Sequence, residues 1–485
     1  MTAPTILRCT TLSALLLLPL AAAAEDAAGV LNRAAKAMGA DTVKTLKYTG
    51  GGMSGVFGQA YIAGQAWPKM NVSAYSRDID YDNSFIQETQ TISRAEPKGG
   101  GAVPLSGPAS PVTVANAATA WNMAGTNAIP RPAGRILRLH DLWTTPHGAL
   151  KAAMTNPSNL EFKTVNGKSM PAVTFTVPGI TTATAYFGES FLVERVESRL
   201  PDQVMGDVPV VTTYSEYRDY GGGVQFPARI EQTVAGFMTL QLIVTGVQPN
   251  VAVKTDVPDN VAKFSERVTA EKAADGVWFL AGGSHNSVAV EMSDHIVLIE
   301  SPLDDGRAAA VFAEVKKTIP GKPIRFVVNS HNHFDHSGGL RYAVSQGAAI
   351  VTQAQSKAWF EKVFANPNRI APDSLAKSPR KANIVGVADK MVMNNPARTI
   401  EIHKISDTVH GDAMLMVYLP KEKLLIEADV YTPGPPDSKP IPAPNNGNLL
   451  TLVKNIDDRK LAVDRILPLH GRMVPVAELT RAAGK

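Results

Sequence analysis

A chain of 485 residues, 44% hydrophobic and 19% charged, has the make-up of a folded globular protein. Single cores rarely grow past about 250–300 residues, so two domains are expected. The formal charge of +4 is small for this length and gives no sign of a nucleic-acid groove or a polybasic membrane patch.

The chain opens with MTAPTILRCTTLSALLLLPLAAAAED, which has one positive charge (Arg8), an apolar run from Leu12 to Leu20 and then alanines. That is the pattern of a secretory signal peptide over residues 1–24, with cleavage before Glu25. The apolar run is shorter than the roughly 20 residues that a spanning helix needs, so no stable membrane span is expected. The expected location is the periplasm, or otherwise the medium. The single cysteine, Cys9, lies inside this segment, so the mature chain would hold no thiol for a disulfide, a nucleophile or a metal ligand.

Residues 25–255 read as an antiparallel β-rich domain of open role. AAGVLNRAAKAMGADTVKTL begins it as a short amphipathic helix with a glycine stop. Segments such as KMNVSAYSRDIDYDNSFIQETQTISR and VVTTYSEYRDYGGGVQFPARIEQTV then alternate apolar and polar positions between Gly, Pro and Asn turns, as strands with one wet face do. EPKGGGAVPLSGPASPV interrupts them as a loop without periodicity, and RPAGRILRLHDLWTTPHGALKAAM as one or two helices. VQPNVAVKTDVPDNVAKFSERV is a linker, and from residue 268 to 485 strand hairpins give way to alternating helices and strands. The expected fold class is therefore α+β with two domains.

NSHNHFDHSGGL, residues 329–340, gathers His331, His333, Asp335 and His336 between an apolar strand and the start of a helix. Open α/β sheets place their sites at such strand ends. In extended backbone His331 and His333 point to one side, and Asp335 and His336 follow as the chain turns. One metal suits the first two imidazoles and a second suits the Asp and the third imidazole, and zinc accepts this donor set. His410, Asp429 and His470 each stand beside an apolar strand. His403, in TIEIHKI, alternates with apolar neighbours and reads as structural, and His295 reads as a turn residue.

H-x-H-x-D-H followed by His410, Asp429 and His470 in that order resembles the metallo-β-lactamase fold superfamily of metal-dependent hydrolases, over residues 268–485. The resemblance implies an αββα sandwich with two Zn2+, or other divalent ions, at one edge. It implies His331, His333 and His410 on one metal, Asp335, His336 and His470 on the other, and Asp429 bridging them. The implied activity is hydrolysis of an ester, lactone or thioester by a metal-bridging hydroxide that Asp335 orients. The absence of a mature cysteine and the presence of Asp429 set the chain apart from the true β-lactamases. Glu300 stands where the family often has Asp. The expected partner is a small, hydrophobic molecule rather than nucleic acid, with the oligomeric state open. His285, in AGGSHNS, would touch substrate from a flap or be an exposed loop residue, and Tyr431 would donate to an oxyanion or be packed. The N-terminal pattern resembles the half-barrel of periplasmic lipoprotein carriers, which would hold an acyl chain, and a stabilising or dimerising domain is the alternative. Rival readings of the whole chain are a β-lactamase-like amidase and a periplasmic lipid-binding protein with a structural metal site.

Overall fold

The computed structural model describes Met1 and residues 26–95, 100–101, 108–443 and 445–485. The predicted signal peptide and most of the Gly/Pro stretch lie outside them. No helix among the described residues is long and apolar enough to cross a membrane.

Thirteen strands between Thr45 and Pro249 form one sheet. Its middle is a seam where Thr45–Gly55 pairs antiparallel with Phe237–Pro249, and from there two meandering arms run outward to Asn127–Pro130 and Pro157–Val165. Alternation sets the faces: along Lys69–Asp80, Met70, Val72, Tyr75 and Ile79 are buried between more exposed neighbours. Three helices pack on one face. Ala27–Met38 starts where the Asp26 carboxylate accepts from the Gly29 N–H at 2.7 Å and stops at Gly39, whose φ of 62° is the left-handed cap predicted for it. Arg135–Trp143 and Pro146–Thr155 resolve the predicted one or two helices as two. Leu31, Met38, Leu142 and Leu150 from these helices share a core with Leu46, Tyr48, Phe175 and Phe226 of the sheet.

His147 sits inside that core, with Nε2 donating to the Met38 carbonyl at 3.2 Å. Burial lowers its pKa to about 4, so the folded state resists a proton that the unfolded chain takes near 6.5. The resulting stability is fully present above pH 6.5 and is lost as pH falls towards 4. The expected loss is about 2 kcal/mol at pH 5. Urea denaturation at pH 7 and pH 5 checks this, and in His147→Gln the pH dependence should shrink.

The C-terminal region has the alternation of two sheets back to back. A seven-stranded sheet runs from Thr269–Ala274 to Ile384–Val387, and a six-stranded sheet from Lys390–Asn394 to Val474–Pro475. In Ile296–Ile299, Val297 and Ile299 face the second of these sheets, while Ile296 and Leu298 face helices Asp305–Thr318, Leu340–Ser345 and Ala354–Phe364. In Met414–Leu419, Leu415, Val417 and Leu419 face the first, while Met414 and Met416 face helix Gly447–Asp458. The layers are therefore helix, sheet, sheet, helix. The N-terminal sheet joins this arrangement through Leu200, Val208 and Val234, and its Gly55–Lys69 hairpin loop through Trp67; they share a core with Val311, Leu340 and Phe360 of the first helical layer.

Candidate metal centre

The chemistry-bearing side chains leave the sandwich at one edge. Strand Ile324–Val328 ends just before Asn329–His333, and His333 caps the one-turn helix Phe334–Ser337. Leu424–Glu427 ends two residues before Asp429, and Arg465–Pro468 two before His470. His410 lies between Thr399–Ile405 and Met414–Leu419, and His285 between Val277–Ala281 and Ser287–Glu291. Glu300 and Asp429 hold φ of 73° and 61°, a left-handed conformation uncommon for side-chain-bearing residues and recurrent at functional strand ends.

These residues fall into two groups whose donor atoms lie within 4.8 Å of one another: His331, His333, His410 and Asp429, and His285, Asp335, His336 and His470. Asp429 joins them. Its Oδ2 is 3.3 Å from His331 Nε2, 2.9 Å from His410 Nε2 and 3.0 Å from His336 Nε2, and its Oδ1 is 2.9 Å from His470 Nε2.

The outer nitrogens fix which ring atoms face inward. His333 Nε2 donates to the Ala60 carbonyl at 3.2 Å, leaving Nδ1 for the site. His470 Nδ1 donates to the Ser284 carbonyl at 3.0 Å, leaving Nε2. Glu300 serves both groups at once. Its Oε2 lies 3.1 Å from His336 Nδ1, and it also takes the Ser330 hydroxyl, whose oxygen is 3.0 Å from His331 Nδ1. Asn329 Nδ2 approaches its other oxygen at 3.3 Å. The Glu300 side chain thus reaches behind ligands of both groups. Such carboxylate–histidine contacts orient metal ligands and raise their basicity. Glu300→Gln is expected to weaken metal affinity by about 10–100-fold, measured by competition with a chromogenic chelator.

The residues fit cations. His331, His333 and His336 are fully buried. Burial pushes His331 down to about 3 and His333 well below its ordinary value, so these two rings are neutral ligands, whereas at His336 the opposing effect of burial is overcome by the Asp429 and Asp335 carboxylates, which raise it well above its own. Two imidazole nitrogens on one tetrahedral zinc, each bonded at about 2.0–2.1 Å, stand about 3.3 Å apart. Here His331 Nε2 and His333 Nδ1 are 2.9 Å apart, and His336 Nε2 and His470 Nε2 3.1 Å. His410 is buried, with Nδ1 in no hydrogen bond and Nε2 meeting the Asp429 carboxylate out of hydrogen-bond alignment. Burial opposes charge on Asp335 and Asp429, yet the surrounding imidazoles, His336 foremost, hold both well below the usual carboxylate range. Two partly buried carboxylates with the buried Glu300 behind them call for positive charge, which divalent ions supply.

The structure brings all seven sequence-expected ligands together and adds His285 to them. His285 is neither exposed nor on a free flap. Its Nε2 is 3.2 Å from Asp335 Oδ2, its ring centroid 4.1 Å from that of His470, and burial lowers its pKa to about 4. Asn286 pins the loop by bonding through Nδ2 to the carbonyls of Pro468 and Gly471 at 3.2 and 2.8 Å. The Gly-rich hairpin sequence gave no spacing signal for a ligand. Tyr431 is not brought into either group. The backbone N–H groups of Val430 and Tyr431 donate to Glu427 Oε2 at 3.2 and 3.1 Å, and this tight turn sends the Tyr431 ring into the core with Leu449 and Leu452. His403 lies in strand Thr399–Ile405 with Nε2 2.9 Å from Glu401 Oε2, and His295 pairs with Asp294 at the turn before Ile296, both outside the groups.

Residues 280–468 match the family described as the Metallo-beta-lactamase superfamily. The chain is 20% identical over 174 residues to the 2,4-dinitroanisole O-demethylase subunit alpha of Nocardioides sp. (strain JS1661), a match taking in 36% of this chain. It covers 49% of that protein, so the chain spans about half the length of the curated relative it matches. Among solved structures it is similar to a metallo-beta-lactamase from Pontibacter korlensis, at 17% identity and a TM-score of 0.35 over 45% of this chain and 98% of that one. It is also similar to the rubredoxin oxygen:oxidoreductase of Desulfovibrio gigas, at 16% identity and a TM-score of 0.35 over 44% of this chain and 60% of that one.

Proposed function

We propose, from the match of residues 280–468 to the metallo-beta-lactamase superfamily, in general metal-dependent hydrolases, that the chain is an exported dinuclear zinc hydrolase of an ester, lactone or thioester. The observation that carries the reading is Asp429, one carboxylate in reach of imidazoles from both groups. Two bound divalent ions would supply a nucleophile at neutral pH, by lowering the pKa of water towards about 7, and would polarise the scissile carbonyl.

The chain's own residues do the rest. His331, His333 and His336 sit fully buried and hold the inner side of the site, while Asp335 and His470 keep 32% and 19% of their side chains exposed. Substrate therefore approaches over Asp335 and His470. Asp335 Oδ2 faces His285 and His336, and its carboxylate can accept a hydrogen bond from the attacking group and fix its direction. Ser284 lies beside this entrance, its hydroxyl 2.8 Å from His285 Nδ1 and bonded by Arg131 at 3.1 Å.

Export rests on the signal-like residues 1–24. One preparation tests both parts. Protein recovered from the cell envelope fraction is expected to have an intact mass starting at Glu25, to carry two zinc ions, and to turn over nitrophenyl esters, lactones or thioesters. Turnover of nitrocefin in place of all of these would replace the ester reading with an amidase. No turnover of either class by zinc-loaded protein would sink the hydrolase assignment.

A further inference from the structure

The thirteen residues of the hairpin loop between Gly55 and Lys69 reach from the N-terminal sheet to the metal centre. The base of the loop is closed by the Val56 N–H donating to the Pro68 carbonyl at 2.9 Å. Its wall is an aromatic cluster in which Phe57 and Trp67 meet the Phe334 ring edge-on, at centroid distances of 5.4 and 5.7 Å. Gly58 has φ of 79°, and a Cβ there would stand 2.6 Å from the Phe334 ring, so the loop lies as close to the ligand turn as a chain can.

Residues 58–60 then bond to each residue from Asn332 to Asp335. The Gly58 carbonyl accepts from the Phe334 N–H at 3.1 Å, and the Ala60 carbonyl accepts from Asn332 Nδ2 at 3.0 Å and from His333 Nε2 at 3.2 Å. Gln59 Nε2 donates to Asp335 Oδ1 at 2.7 Å, which leaves Oδ2 to face His285 and His336. Tyr61 carries the contact across to the His410 loop. Its carbonyl accepts from the Asp412 N–H at 3.0 Å and its hydroxyl donates to the Thr408 carbonyl at 3.1 Å. Ala60 is buried, and the Gly101 N–H donates to the Gln59 carbonyl at 3.0 Å from the outer side.

We propose that residues 58–61 are a strap from the N-terminal sheet that positions both ligand loops, making that sheet a working part of the metal centre. Its members are positioning residues. Gln59 selects the Asp335 oxygen presented to the group of His285, His336 and His470. Ala60 and Tyr61 orient His333 and the His410 loop for the other group. The inference rests on the metal-centre reading above.

The test is metal affinity, measured on the full chain by stepwise competition with a chromogenic chelator, beside thermal unfolding of the metal-free protein. Gln59→Ala is expected to lower one of the two stepwise zinc affinities by about 10–100-fold, and Gly58→Val, which pushes the strap off Phe334, to lower the other by a similar factor. Tyr61→Phe removes a single hydroxyl, keeps the fold, and is expected to repeat the effect of Gly58→Val at about tenfold. Unfolding of the metal-free Gln59→Ala and Tyr61→Phe proteins should match wild type, which a merely structural role would not allow alongside weakened binding. Two undiminished affinities in both of these variants would overturn the strap while leaving the dinuclear site standing. Wild-type protein that takes up no metal would overturn the site itself, and the strap with it.

Discussion

Asp429→Ala is expected to take the protein from two bound zinc ions to one or none, with hydrolysis falling alongside. The carboxylate approaches imidazoles of both groups, at 2.9–3.3 Å, so no other side chain can replace it. Losing an outer-shell partner costs about 10–100-fold in metal affinity, and a direct ligand shared by two ions should cost more than that. Elemental analysis of the purified variant reads the result. Asp429→Asn keeps one oxygen and should fall between wild type and alanine. A variant that retains two zinc ions would remove Asp429 from the bridging role.

The second large effect is expected at Arg307, in the first turn of helix Asp305–Thr318. Its guanidinium is 1% exposed, and it donates to Glu266 Oε1 at 2.8 Å, to the Arg267 carbonyl at 3.0 Å and to the His285 carbonyl at 2.8 Å. Arg307→Ala strips all three acceptors and leaves a cavity beneath the loop that carries His285. Breaking a buried pair costs about 3–5 kcal/mol, and the partial exposure of Glu266 places this one near the lower end. Urea denaturation should show a drop of about 3 kcal/mol. Arg307→Lys keeps the charge but not the fork, and should recover only part of it. Full stability in the alanine variant would mean that the loop is held by Asn286 alone.

How much of this was legible in the sequence depended on how local each signal was. The cluster from His331 to His336 could be read because alternation and a strand-to-helix turn are properties of adjacent residues. His410, Asp429 and His470 could be read because each stands beside an apolar strand whose end must lie at the sheet edge. His403 could be set aside because its neighbours alternate. His285 carried no such pattern, since a lone histidine in a Gly-rich hairpin shows its role only when the hairpin docks on the His470 loop. Tyr431 left two readings open, and the structure takes the packed one. Two residues after Asp429, it would share a face with it in extended chain, but the left-handed turn at Asp429 ends that alternation. The strap was invisible, because Gln59 and Asp335 are 276 positions apart and no local pattern marks a contact of that span.

The seam of the N-terminal sheet has a consequence for the order of assembly. Each arm is a run of hairpins between neighbouring strands, and local pairings of that kind form early and fast. The seam joins Thr45–Gly55 to Phe237–Pro249, strands from opposite ends of that region, and its long loop must be closed before any pairing rewards it. The strap follows Gly55 directly. The contacts that the strap makes to the ligand loops therefore take their final places only once the two arms have met. A chain stalled with its arms apart would carry its histidines unheld.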